Sequence, residues 1–149
     1  MKEEKRRTYY QSGRLKSEET VTDGKKNGVC FWYYENGNIE AKVEFENDLR
    51  EGKFQSYYET GKLWQESNYH KNLLEGESKW FYENGHFAAE MNYRLGKEEG
   101  RSSYYHQNGK IKLIENYSKG LLNGFRRAYD EEGNQLYEEE YVEGQKILK

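Results

Sequence analysis

Residues 28–46 read GVCFWYYENGNIEAKVEFE, two alternating arms around a glycine. On the second arm Ile39, Ala41, Val43 and Phe45 alternate with Asn38, Glu40, Lys42 and Glu44. That is the period-two pattern of a strand with one buried face. The arms meet at Asn36-Gly37, a pair that predicts a two-residue type I′ hairpin, because both central residues of that turn need positive φ. In that register Trp32 faces Ala41 and Tyr34 faces Ile39. One face then carries Cys30, Trp32, Tyr34, Ile39, Ala41, Val43 and Phe45. The other carries Phe31, Tyr33, Glu35, Asn38, Glu40, Lys42 and Glu44.

The same pattern returns along the chain. Gly13, Gly37, Gly61, Gly85, Gly109 and Gly133 stand 24 residues apart, and Gly28, Gly52, Gly76, Gly100 and Gly124 form a second series at the same spacing. Four residues before each glycine of the first series sits a ring: Tyr9, Tyr33, Tyr57, Phe81, Tyr105 and Tyr129. Another column reads Val21, Phe45, Tyr69, Tyr93, Tyr117 and Tyr141. Columns in register over the whole length define an internal repeat, and these glycines are its turn positions. The fourth repeat agrees with the second, placing Trp80, Tyr82, Phe87, Ala89, Met91 and Tyr93 together. The third is weaker, with Ser56, Gln65 and Ser67 on the apolar face. In the sixth, Gln135 stands where an apolar residue is due and Leu136 follows one place late. Leu148 occupies the last position of the second glycine series.

The expectation is an all-β chain of tandem antiparallel β-hairpin repeats of period 24. About twelve strands at about 4.8 Å spacing make a sheet roughly 55 Å long. Strand twist curls such a sheet, so one elongated, twisted, curled open sheet is expected, with a closed barrel as the alternative. Residues 1–7 read as a charged N-terminal segment and 8–149 as a single array of about six repeats without a linker.

Composition changes this picture in two ways. Charged residues reach 34 % and mean hydropathy is −1.32, values that suggest disorder, but aromatic residues reach 16 %, which argues against it. Rings with polar tips suit a thin, half-wet sheet. The net charge of −3 gives no general attraction for nucleic acid. Cys30 is the one cysteine, so no intramolecular disulfide can form. Residues 1–7 lack the apolar run of a signal peptide, which points to the cytoplasm, or to a secreted or surface location if a leader has been removed.

The pattern Tyr/Trp-Tyr-Tyr-Glu-Asn-Gly-x-Ile/Leu, then a ring, then a glycine-flanked polar connection, resembles the MORN-repeat family. It is most similar to the variant MORN repeats of bacterial proteins, many of them labelled YwqK-like antitoxins. Residues 31–52 and 79–100 carry the resemblance best, and it extends over residues 8–145. The resemblance implies a β-repeat fold and an interaction scaffold, with antitoxin activity and phospholipid binding proposed for some members.

Catalytic and metal chemistry find little footing. His70, His86 and His106 lie in different repeats, without a ligand pair at zinc spacing. Carboxylates are abundant, but no phosphate loop, nucleophile elbow or Cys/His dyad occurs. No cofactor, metal or catalytic residue is expected, and the chain is read as a non-enzyme. The function expected is a protein-interaction scaffold, in its sharper form the neutralising partner of a toxin or effector. The alternative is recognition of cell-surface carbohydrate or phospholipid, and self-association through the open sheet edges is a third outcome. No nucleic acid is expected as a partner. The candidate binding residues are Tyr33, Tyr57, Phe81 and Tyr105 on the charged face, and Trp64, which the type I′ register puts opposite Tyr57. The same register puts Glu40 opposite Tyr33, Ala88 opposite Phe81 and Lys112 opposite Tyr105.

Overall fold

The computed structural model describes residues 1–148. They contain seventeen strands, all in antiparallel pairings, and no helix. The chain divides into two compact units, Met1–Leu73 and Leu74–Lys149. The first holds β1 (Glu3–Tyr9), β2 (Leu15–Thr22), β3 (Lys25–Lys26), β4 (Gly28–Tyr33), β5 (Ile39–Glu46), β6 (Leu49–Tyr57) and β7 (Leu63–His70). The two-residue β8 (Leu73–Leu74) falls at the boundary. The second holds β9 (Gly76–Phe81), β10 (Phe87–Arg94), β11 (Lys97–Glu98), β12 (Gly100–Tyr105), β13 (Ile111–Ser118), β14 (Leu121–Leu122), β15 (Gly124–Tyr129), β16 (Gln135–Val142) and β17 (Gln145–Lys146).

Within each unit the strands run as an open meander. The count exceeds twelve because one strand of most repeats is interrupted: β3 and β4 are a single run broken at Asn27, whereas β6 is the same run unbroken. Most of the charged segment at the start, Glu3 to Arg7, belongs to β1, paired to β2 from Glu3↔Thr22 onward.

The Asn-Gly turns are not type I′. Gly37 donates to the Tyr34 carbonyl at 2.9 Å and Tyr34 N–H donates to the Asn38 carbonyl at 2.8 Å, so the loop has three residues. Gly37 has φ +93, while Asn36 is absent from the positive-φ residues. This is a type I turn followed by a glycine in the left-handed region, the G1-bulge hairpin. An odd loop would exchange the faces of the second arm, but a second bulge cancels it. Tyr33 pairs with Ile39 and Trp32 with Ala41, leaving Glu40 as the extra residue. The body of the hairpin therefore keeps the expected register, as Cys30↔Val43 and Gly28↔Phe45 confirm. What changes is Ile39, which joins Tyr33 on the charged face instead of the apolar one. The same shift recurs in every first-series hairpin and makes Lys16, Trp64, Ala88, Lys112 and Leu136 bulge residues.

Type I′ geometry occurs at the opposite end of each repeat. Asp23-Gly24 (φ +49, +83), Asn47-Asp48 (+48, +67) and Leu95-Gly96 (+50, +78) each have two successive positive φ values. They close two-residue loops between Thr22↔Lys25, Glu46↔Leu49 and Arg94↔Lys97. The second glycine series follows these turns. Gly28 sits at φ +94 directly across the ladder from the Phe45 ring, and the Tyr69, Tyr93, Tyr117 and Tyr141 rings face their own glycines likewise.

Side-chain hydrogen bonds of fixed reach hold successive repeats together. The hydroxyls of Tyr10 and Tyr34 donate to the carbonyls of Tyr33 and Tyr57 at 2.6 and 2.7 Å in the first unit. Tyr82 does the same to Tyr105 at 2.7 Å in the second, where His106 takes over with Nε2 2.9 Å from the Tyr129 carbonyl. The turn asparagines bridge as well: Asn36 Nδ2 donates to the Glu59 carbonyl, and Asn84 and Asn108 donate to those of Gln107 and Glu131, all at 2.9 Å. A third column receives the N–H of the first type I′ residue one repeat on. Glu51, Glu75 and Glu99 carboxylates accept from Lys71, Leu95 and Lys119 at 2.7–2.8 Å.

The core is made of small side chains. Val21, Cys30, Val43, Ala89 and Ala128 are buried, together with Ser17, Ser56, Ser67, Ser78, Ser102 and Ser103. The large rings are half-buried, so a sheet covered by its own side chains leaves much aromatic surface available.

Candidate functional site

Each face presents a different candidate. On the charged face, Tyr33 pairs with Ile39, Tyr57 with Leu63, Phe81 with Phe87 and Tyr105 with Ile111. None of these rings lies opposite Glu40, Trp64, Ala88 or Lys112, because the bulge shifts the register by one residue just there. Ile39 and Ile111 thus replace the charged Glu40 and Lys112 across from Tyr33 and Tyr105, and Phe87 replaces Ala88 across from Phe81, while Leu63 takes the place of Trp64 across from Tyr57.

In the second unit these pairs merge into a row. Phe81 and Phe87 have centroids 5.1 Å apart, and Phe87 lies 6.2 Å from Tyr105. Phe87 is 38 % exposed, a large value for a phenylalanine. Lys79 holds its ammonium 5.8 Å over the Phe87 ring, and the Tyr105 hydroxyl donates to the Glu90 carboxylate. Burial first, then Glu90, raises the Tyr105 hydroxyl above its ordinary range. In the first unit Tyr33 stacks on Phe31 at 6.2 Å, while the Tyr57 hydroxyl points toward Gln55 at 3.4 Å. Burial raises Tyr33 and Tyr57 as well. Rings flanked by charges of both signs make a surface with an apolar centre and a polar rim, the anatomy of a protein-binding patch.

Trp64 is elsewhere. Its bulge position turns the indole toward Tyr58, 6.1 Å away, and away from Tyr57. With Trp32, Tyr34, Glu40, Ala41 and Ser56 it lines a shallow groove of about 280 Å³ on the tryptophan face of the first unit. The groove exists because Ser56 occupies the column that holds Trp32 in the repeat before it. In the second unit a wider groove of about 590 Å³ runs beside Trp80, Met91, Tyr93 and Glu98. Near it, burial followed by Glu115 raises the Glu98 carboxyl, and burial pushes Tyr104 up to about 12. Glu115 is itself buried, with Arg126 Nε 2.9 Å away and the Tyr117 hydroxyl donating at 2.8 Å.

The three histidines serve the turns and ladder edges. His70 pairs with Glu51 at 2.7 Å, His86 Nδ1 lies 2.8 Å from the Gln107 carbonyl, and His106 occupies the tyrosine column described above. Among the described residues no group of three His, Cys, Asp or Glu could hold a metal ion.

Sequence reasoning thus missed Phe87 as a charged-face ring and the tyrosine hydroxyl column altogether. The second had a visible signal, since Tyr10, Tyr34, Tyr58 and Tyr82 recur at the repeat spacing. The first had none, because a bulge is not written in the alternation.

These features define a β-hairpin repeat protein with two half-exposed aromatic faces. The family model described as MORN repeat variant matches residues 26–47, 50–71, 74–94 and 98–119, more than half of the chain, and the chain belongs to that family. MORN repeats are generally non-catalytic and have a binding or scaffold role. No curated protein matches the sequence. Among solved structures, the crystal structure of a GtfA/B complex bound to UDP and GlcNAc is similar at 17 % identity over 77 % of this chain, with a TM-score of 0.29. This chain spans 24 % of that one, and a likeness at that score bears on no question of function.

Proposed function

We propose that this chain is a non-catalytic protein-interaction scaffold, and that its partner docks on the charged face of the second unit. The observation that carries the reading is the Phe81–Phe87–Tyr105 row, with rings 5.1 and 6.2 Å apart and Phe87 held half in solvent. Rings pre-positioned by a hydrogen-bonded sheet lose little conformational freedom on binding, which is what an anchor requires. The surrounding charges, Lys79, Glu90 and Arg101, have both signs, so the patch suits a mixed polar protein surface better than an anionic lipid or a nucleic acid. In its sharper form the partner is a toxin or effector that the scaffold neutralises.

The test is quantitative capture. Immobilised chain should retain a partner, with the product of the adjacent reading frame the first to try. Phe87→Ala combined with Tyr105→Ala should weaken the purified complex by about 2 kcal/mol or more without lowering Tm comparably. Co-expression with a toxic partner should restore growth in the sharper form. Binding that is untouched by the double variant removes this face from the proposal.

A further inference from the structure

One column of the repeat changes the sign of its charge in the second unit. Lys26, Arg50, Leu74, Glu98, Leu122 and Lys146 recur at the 24-residue spacing. They stand across the ladder from the ring column, as in Phe45↔Arg50, Tyr93↔Glu98, Tyr117↔Leu122 and Tyr141↔Lys146. In the first unit this column supplies cations to ring faces. The Lys26 ammonium lies 5.6 Å over Trp32, 5.2 Å over Phe45 and 2.8 Å from the Glu19 carboxylate. The Arg50 guanidinium lies 4.3 Å over Tyr69. The Lys26 arrangement joins cation–π attraction to an ion pair.

Glu98 is the one acid of the column, and it has rings around it but no cation. With Trp80, Met91 and Tyr93 it lines the open groove of about 590 Å³, all four side chains half-buried. Among the described residues no Lys or Arg pairs with it. Arg126 is engaged by Glu115 at 2.9 Å and by Glu139 at 3.6 Å, and the Lys97 stem lies along Gly120. What Glu98 meets instead is burial and the Glu115 carboxylate, both of which disfavour its charge. A carboxylate beside ring faces and short of a counter-ion is the complement of an ammonium group.

We propose that this groove receives the side chain of a lysine from a partner protein, in the role that Lys26 plays within the first unit. The groove lies on the face opposite the Phe81–Phe87–Tyr105 row, so the inference is independent of the docking proposed there. Its surroundings select lysine among cations. Two rings and one carboxylate repeat the setting of Lys26, whereas Arg50 stacks on one ring and turns its Nε to Asn72. A quaternary ammonium has no N–H to donate to Glu98. A metal ion finds too few ligands, since among the described residues no three His, Cys, Asp or Glu side chains could hold one. The groove is open along the face, so a side chain can enter it from a chain lying across the sheet.

The experiment follows the backbone amides of Gly96, Glu98 and Gly120 by NMR while the full chain is titrated with N-acetyl-lysine methylamide. Ionic strength is held constant, which removes general charge attraction. Parallel titrations use the Nε-acetylated and Nε-trimethylated forms of the probe and its arginine counterpart. Saturable shifts in the millimolar range are expected with the lysine probe and none with the Nε-acetylated one. Glu98→Gln should weaken lysine binding about tenfold, the scale of one charge-assisted hydrogen bond, and stays folded because it removes a disfavoured charge. Tyr93→Leu should weaken it severalfold by removing one ring face. Glu98→Lys returns the cation of the column, and should abolish the shifts while raising Tm at pH 7.5. The proposal is overturned if the lysine probe gives no saturable shift at these amides, or if Glu98→Gln binds it at full strength. Tighter binding of the trimethylated or the arginine probe overturns it as well.

Discussion

Replacing Asn84 by glycine separates the two possible turn geometries. In a type I′ turn glycine serves either central position, and the change would be neutral or stabilising. In the observed loop Asn84 has ordinary backbone geometry and its side chain makes two bonds. Nδ2 donates to the Gln107 carbonyl at 2.9 Å, and Oδ1 accepts the His86 N–H at 3.0 Å. Losing two exposed hydrogen bonds costs about 0.5–1 kcal/mol each. The extra freedom of glycine in the unfolded chain adds about 0.4–1 kcal/mol. The expected loss is about 2 kcal/mol, which with an m-value of about 2 kcal/mol/M lowers the urea midpoint by roughly 1 M. The companion substitution is Leu95→Asn, in the true type I′ turn. Leu95 is 66 % exposed and sits at φ +50, where a leucine costs about 1 kcal/mol. Its N–H bond to Glu75 at 2.8 Å is a backbone bond and survives the change. Leu95→Asn should therefore raise the midpoint, by up to about 1 kcal/mol in stability. Urea melts of both variants, with m unchanged, decide the matter. An Asn84→Gly melt that overlays the parent, or a Leu95→Asn protein less stable than the parent, refutes this account of the turns.

Three further outcomes are expected. The Glu98 carboxyl is raised above its ordinary 4.5 by burial and then by Glu115, so the folded state keeps this proton to higher pH than the unfolded one. Stability from this site is full below about 4.5 and is lost as pH rises through the raised value. Glu98→Gln should accordingly raise Tm at pH 7.5 and leave it unchanged at pH 4, and equal Tm shifts at both would remove the charge from the explanation. Tyr82→Phe deletes the 2.7 Å bond to the Tyr105 carbonyl and should cost about 1 kcal/mol in a thermal or urea melt; an unchanged melt means the column is dispensable. Along β16 only Tyr141 and Val142 pair with β17, which leaves much of one strand edge lined by Glu138, Glu139 and Glu140. Neutralising all three to threonine should raise the mass seen by light scattering as concentration increases, and should also break the 2.6 Å Arg127–Glu138 pair.

The class of this fold follows from residue spacing alone. Glycine and ring columns at a 24-residue spacing require one supersecondary unit repeated, and alternation on both sides of Asn36-Gly37 requires that unit to be a hairpin. The pairing of Trp32 with Ala41 and Cys30 with Val43 was legible for the same reason, since it depends on parity alone. Parity, however, cannot count bulges. A three-residue loop and a bulge at Glu40 cancel in the strand body, so either turn geometry predicts the same faces for most residues. The two geometries differ at the residues flanking the turn, and these are the binding candidates. Ile39 and Phe87 crossed to the charged face there, and Trp64 turned toward Tyr58 and a groove that Ser56 leaves open. The Asn-Gly pair was misread because asparagine suits positive φ and also suits a side-chain bridge to the next turn. Only the register of neighbouring repeats, which places the Glu59 and Gln107 carbonyls within 2.9 Å of those amides, decides which property the chain uses.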